Sequence, residues 1–232
     1  MALSTHGDHF EKYTREIFEK MIKEGDTVVD IGAHIGIFTL IAARKVGPEG
    51  HVFAFEPASI NFNLLVQNVN ENGYDKRVTV VKKAITNYSG KQTLYLESAD
   101  STMGYRLLKD ELPKGETVKM RYEIVETTSL DEFFENYPSP INLIKMDIEG
   151  FEPQAIYGMK KILERNPKII IFSEFHPRKL ILASNNPYNY LENLSKLGFT
   201  LYEINEDRKT IILIKKQSFW LGEDIKKIYS GK

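Results

Sequence analysis

Five carboxylates frame the chemistry this chain can do. Asp30, Glu56, Asp147, Glu149 and Glu174 each stand at or beside the end of a short apolar run, with a glycine or proline a few residues on. In an open α/β sheet, ligands sit beyond the carboxyl ends of the strands, so such positions are where chemistry is presented. Asp147, Glu149, Glu174 and His176 are the candidates for handling a proton. An imidazole titrates near ~6.5 and is largely neutral at pH 7, which makes His176 the first choice of general base. Glu174 could orient it or bind an acceptor hydroxyl, and Asp147 could do either. Plainer roles compete: His176 before Pro177 could cap a strand end, and Glu149 could be a first-turn carboxylate favoured by a helix dipole. Asp147, Glu174 and His176 could also form a hard O/N site for Mg²⁺ or Mn²⁺, acidifying an acceptor hydroxyl.

The second constellation is VVDIGAHIGIFTL, residues 28–40. It reads as a buried strand, a turn through Gly32 and Gly36, and an apolar-periodic helix. About twenty residues past Gly36 a second strand, His51 to Phe55, ends in Glu56-Pro57. A carboxylate there can accept hydrogen bonds from both hydroxyls of a ribose. The glycines are spaced G-A-H-I-G, looser than the G-x-G-x-x-G that lets backbone approach a pyrophosphate. A nucleoside with an amino-acid tail fits better, and S-adenosylmethionine is such a molecule. Its ribose would go to Glu56, and its methionyl ammonium to Asp30 and the Gly32 carbonyl. Methyl transfer is an in-line displacement at an already activated carbon, so positioning supplies much of the rate.

The elements that must hold these residues follow from periodicity. Phe10, Tyr13, Ile17 and Met21 predict an amphipathic helix over 8–23, covering a sheet edge or lidding the cofactor. Residues 59–72 predict a helix stopped by Gly73. A third strand runs from Val78 to Val81 into a loop at Ala84. Residues 90–128 break the alternation and predict an inserted hairpin, its loop at 98–115 holding Asp100-Ser101-Thr102-Met103-Gly104 as a lid or substrate contact. Ser129-Leu130-Asp131-Glu132 has capping-box spacing. Strands at 142–146 and 168–173 and helices at 152–163 and 187–197 follow, with a loop over 177–190. The strands at 199–204 and 210–214 are separated only by a short turn and predict an antiparallel hairpin. One domain over 1–232 is the economical organisation.

Composition narrows the class. The chain has 232 residues, 42% hydrophobic and 27% charged, with net charge −1 and no cysteine. No global basic field draws in nucleic acid. Without cysteine there is no disulfide framework and no thiolate site, which fits a reducing, cytoplasmic setting. The longest apolar run, Ile169 to Phe172, is far short of a membrane span. A small-molecule or glycan acceptor is the expected partner. Rival classes are a methyltransferase acting on RNA or protein, a non-catalytic nucleoside-binding domain, and, least favoured by the glycine spacing, a nicotinamide oxidoreductase.

With those residues in place, the chain resembles the FkbM family of S-adenosylmethionine-dependent methyltransferases. The matching segments are VVDIGAHIGIFTL, FAFEPASINFNLLVQN, VVKKAITNYSG, TTSLDEFF, IKMDIEGFEPQAIYGMKKIL and IIIFSEFHP, in the family's order. The resemblance implies a three-layer, Rossmann-like, mostly parallel sheet of seven strands with the last antiparallel. It also implies methyl transfer to a hydroxyl of a sugar or polyketide-like molecule. The expected cofactor contacts are Asp30, Gly32, His34, Gly36, Glu56, Pro57, Ala84 and Asp147, and the expected catalytic residues are His176, Glu174 and Asp147. Two positions depart from the family. His34 stands where Asn is frequent, and Lys83-Ala84 stand where many methyltransferases put an acidic residue for adenine, leaving that contact to backbone near Ala84.

Overall fold

The computed structural model describes residues 11–96, 105–107 and 122–214. In chain order the elements are α1 (Lys12–Met21), β1 (Thr27–Ile31), α2 (Ile37–Val46), β2 (His51–Phe55), α3 (Ser59–Glu71), β3 (Val78–Val81), β4 (Ala84–Ile85), β5 (Gly90–Leu96), β6 (Tyr105–Leu107) and β7 (Tyr122–Thr128). Then come α4 (Leu130–Phe133), β8 (Leu143–Met146), α5 (Glu152–Tyr157), α6 (Lys160–Arg165), β9 (Ile170–Ser173), α7 (Pro177–Leu182), α8 (Pro187–Lys196), β10 (Tyr202–Asn205) and β11 (Thr210–Leu213). Residues 22–185 form one compact unit; 1–21 and 186–232 fall into a second. Among the described residues no helix is long and apolar enough to cross a membrane.

The larger unit is built on a five-stranded parallel sheet in the order β3-β2-β1-β8-β9. Parallel strands are joined by crossover helices that cover the sheet, so the central strands read as near-continuous apolar runs. Val28, Val29, Val52, Ala54, Phe55 and Ile144 are accordingly sealed from solvent. The strand order reverses between β1 and β8, and the expected neighbour relation of the first and fourth parallel strands holds, with Asp30 opposite Lys145 and Ile31 opposite Met146. The Rossmann-like α/β architecture expected from the sequence is therefore present. Its main sheet has five strands rather than seven, because β10 and β11 pair antiparallel in a sheet of their own. The turn between them is tight enough that each strand satisfies the other's inner edge locally.

The inserted hairpin is present as β5 against β7, from Gly90 opposite Thr127 to Tyr95 opposite Tyr122. It is part of a four-stranded sheet, since β6 pairs with β5 and β4 with β7. The lid candidate Asp100 to Gly104 lies outside the described residues. Two boundaries differ from expectation. The helix at 152–163 breaks into α5 and α6 at Gly158, where a Cβ would lie 2.1 Å from the Thr86 carbonyl oxygen. The backbone approach to Thr86 at this point is one that only glycine tolerates, and α5 ends there. The expected loop at 177–190 contains α7, which starts on Pro177 with His176 as its N-cap. Ser129 caps α4 as the capping-box spacing predicts, accepting from Glu132 N at 3.2 Å.

In the second unit, α1 buries Ile17 and Phe18. Its first turn is closed by Glu206, whose carboxylate accepts from Tyr13 N and Thr14 N, both at 2.8 Å. The acid satisfies two N–H groups that a helix start leaves unpaired.

Candidate active site

A crevice opens at the carboxyl ends of β1, β2 and β8. Of the sequence-predicted cofactor residues, Gly32, His34, Glu56, Pro57, Ala84 and Asp147 line it. Asp30 and Gly36 do not, for reasons visible in the turn. Asp30 is wholly buried, its Oδ2 accepting from Thr39 Oγ1 at 2.6 Å. Gly36 has φ 98° as the N-cap of α2, and a Cβ on it would lie 2.6 Å from Leu65 Cδ1. Gly32 is also demanded by the chain itself: its φ is 76° and a Cβ would lie 2.0 Å from the Asp147 carbonyl oxygen. Both glycines thus admit neighbouring protein as well as shaping the turn.

Glu56 is the crevice's principal polar group. It is 4% exposed, and its Oε2 accepts from His34 N at 2.8 Å and Oε1 from Ala58 N at 2.9 Å. Burial pushes its carboxyl up to about 7, against the pull of those two N–H groups and of Lys145. Each oxygen keeps acceptor capacity, so the arrangement fits a ribose diol. His34 has φ 52°. Asn, Asp and His are the residues most at ease in that left-handed region after glycine, which accounts for both the family's Asn and this chain's His. Ala84 lies in β4, whose pairing with β7 already engages part of its backbone. Lys83, beside it on the crevice wall, pairs with Glu126 at 3.5 Å.

The site assigned to a methionyl ammonium is filled from within. Lys145 is 5% exposed, donates to the Gly32 carbonyl at 3.0 Å and lies 3.4 Å from Asp30 Oδ1. Its ammonium also stands 5.2 Å from the centre of the Phe38 ring. Asp30 is therefore paired with a resident cation, and the Gly32 carbonyl already accepts one hydrogen bond. Sequence reading passed over Lys145 as part of a buried strand. The signal was there: a lysine in the core of a parallel sheet covered on both faces must have an acidic partner, and Asp30 on the adjacent strand is it.

Beyond the crevice, Asp147, Glu149 and Glu174 come together, with one carboxylate oxygen of each within 4.8 Å of the others. Asp147 and Glu149 belong to both places, since they also line the crevice. Burial first, then the Asp147 charge, push Glu174 up to about 8, with Lys179 pulling the other way and a hydrogen bond to Asp147 adding to the rise. Lys179, which no local pattern flagged, pairs with Glu149 at 2.5 Å and with Glu174 at 3.2 Å. His176 is not brought into this group. It is exposed, and its Nδ1 accepts from Lys179 N at 3.4 Å as the cap of α7. The expected O/N metal set of Asp147, Glu174 and His176 is thus replaced, among the described residues, by an all-carboxylate one. Glu152, buried inside α5's first turn, accepts from Ile148 N at 3.0 Å and Gly150 N at 3.4 Å, and burial pushes it up to about 7. It braces the turn that carries Asp147 and Glu149.

Residues 30–201 match the methyltransferase FkbM domain model. The chain belongs to the FkbM methyltransferase family. Among its relatives, "Methyltransferase 1" of Beauveria bassiana (strain ARSEF 2860) is 30% identical over 146 residues, 57% of each chain. The "Hexuronic acid methyltransferase AglP" of Haloferax volcanii is 27% identical over 194 residues, 82% of this chain and 71% of that one. The first of these relatives is thus matched over just over half its length. A solved FkbM methyltransferase from Methylobacillus flagellatus KT aligns over 79% of this chain and 43% of its own, with TM-score 0.48 and 15% identity.

Proposed function

We propose that this chain transfers a methyl group from S-adenosylmethionine to a hydroxyl oxygen of a sugar, a polyketide-like molecule or another small acceptor. The observation that carries the reading is Glu56: a buried carboxylate, steadied through both oxygens by backbone N–H groups, on the wall of a crevice at the switch point of a parallel sheet. Membership of the FkbM family supports the same donor and reaction.

When bound, the donor supplies an electrophilic methyl group on a positively charged sulfur. The chain's own residues do the rest. Glu56 holds the ribose, and the Gly32 turn, fixed by Lys145, shapes the crevice wall. Asp147 lines the crevice with a carboxylate oxygen within 4.8 Å of one of Glu174, so this carboxyl pair takes the hydroxyl proton as the new C–O bond forms and the bond from the donor sulfur breaks. A positioned base contributes ~10²–10⁴-fold. The pair takes the role first given to His176 because His176 spends its Nδ1 on capping α7. Three clustered carboxylates suit a neutral hydroxyl better than an acceptor that is itself a carboxylate, since like charges repel. The relative named for hexuronic acid supports a sugar as the acceptor class, and the carboxylate cluster favours a hydroxyl of that sugar over its carboxylate.

Calorimetric titration with S-adenosylmethionine tests the assignment. Glu56→Ala should weaken donor binding by about a hundredfold or more, since it removes two charge-assisted hydrogen bonds at once. Normal donor binding by a folded Glu56→Ala chain would overturn the reading.

A further inference from the structure

We propose that the Lys179 ammonium stands where the acidic cluster would otherwise hold a divalent cation, and that it positions Glu149 and Glu174 so that the acceptor side works without a metal. The inference rests on reading Asp147 and Glu174 as that acceptor side. Three carboxylate oxygens within 4.8 Å of one another are spaced as ligands of a hard cation. A positive charge is already among them: Lys179 Nζ lies 2.5 Å from Glu149 Oε2 and 3.2 and 3.3 Å from the two oxygens of Glu174. Lys145 flanks the group from the other side, 3.9 Å from Asp147 Oδ2. A dication entering this space would meet two full positive charges at short range, so metal and lysine exclude one another.

The fold is shaped to deliver that lysine. Gly150 has φ 98°, and a Cβ on it would lie 2.4 Å from the Lys179 carbonyl oxygen. Only glycine lets α7 pack this closely on the turn after β8. Asn185 Nδ2 donates to the Gly150 carbonyl at 2.8 Å and ties the far end of α7 to the same turn. Glu149 takes the left-handed conformation, φ 59°, and its carboxylate meets the ammonium. Burial works against the Lys179 charge, but Glu149 and Glu174 outweigh it and hold the ammonium above its ordinary range.

The test is a Mn²⁺ titration followed by electron paramagnetic resonance on the full chain, with neither donor nor acceptor present. The native chain should show no stoichiometric site. Lys179→Met should gain one, binding Mn²⁺ about a hundredfold more tightly than the native chain, because the competing charge is gone. Adding Asp147→Asn should abolish that gain, and Lys179→Arg, which keeps a cation, should stay silent. One Mn²⁺ bound per native chain and lost in Asp147→Asn would overturn the proposal. So would a folded Lys179→Met chain that binds none. The native titration needs no variant, so the idea stays exposed to refutation even if Lys179→Met does not fold. No step involves methyl transfer, so failure here is separable from failure of the proposed reaction, which the Glu56 titration reports.

Discussion

The turn after β1 and the turn after β8 are made of the same parts and put to different uses. Each places a non-glycine residue in the left-handed region, His34 in one and Glu149 in the other, next to glycines of positive φ. Each is braced by a buried glutamate accepting two backbone N–H groups: Glu56 from His34 and Ala58, Glu152 from Ile148 and Gly150. Each has a lysine. On the β1 side, Lys145 is sealed in the sheet against Asp30 and the Gly32 carbonyl, with Asp147 farther off at 3.9 Å. On the β8 side, Lys179 is half-buried and shared by Glu149 and Glu174, with Asp147 close by. The lesson is that charge ratio separates frame from reactive site. A buried pair of opposite charges within the sheet can serve as scaffold. Three carboxylates around one ammonium cannot all ionise cheaply, and the neighbouring Asp147 charge adds to burial in raising Glu174.

The sharpest way to break this comparison is Asp147→Asn. If the β8 side handles the proton, turnover should fall by ~10²–10⁴ while donor affinity changes by only a few-fold, measured by labelled-methyl transfer and calorimetry. A fall in donor affinity alone would return Asp147 to the frame. Next comes Lys145→Met, which leaves Asp30 buried without its counter-charge. Breaking one partner of such a pair costs ~3–5 kcal/mol, to be read from denaturant unfolding. A variant as stable as the native chain would show that the β1 side is not a charge-matched frame.

The third expectation concerns pH, and turnover and stability should move in opposite directions. Turnover should rise with pH through about 8, because Glu174 must lose its proton before the pair can accept one. Stability should fall over a lower window. Burial raises Glu56 and Glu152 to about 7, above the ordinary carboxyl range, so the folded chain holds their protons where the unfolded chain has released them. That contribution is full below the unfolded value and is lost as pH rises through 7. Glu152→Gln should flatten the decline in a thermal-melt series across this range without moving the turnover profile. The smallest effect belongs to His176→Ala. It should cost ~1 kcal/mol of stability as a lost helix cap and leave the turnover–pH profile in place. A large loss of turnover with unchanged stability would restore His176 as the base.

How much was legible in advance differs along the chain for physical reasons. The five parallel strands and the α3 stop at Gly73 showed in one-dimensional patterns, because burial on both faces demands continuous apolar runs and a left-handed helix stop demands glycine. Helix α7 did not show: its six residues begin with proline and include two charged side chains, so no apolar stripe had room to form. Glu56 was legible because its place is set by one strand and one turn. Lys179 was not, since its partners come from two strand ends and a helix.

The residue types, their order and their spacing were enough to determine the α/β class, the glycine turn, the carboxylate closing β2 and the acidic run after β8. These depend on backbone conformation and burial periodicity, which act over a few residues. Only the tertiary structure decided which ammonium meets which carboxylate. It gave Asp30 to Lys145 rather than to a ligand, moved His176 to a helix cap, and set Lys179 among the acids. Such pairings depend on side-chain atoms brought within a few ångströms from distant parts of the chain, and in a low-dielectric interior those short distances determine which groups carry charge.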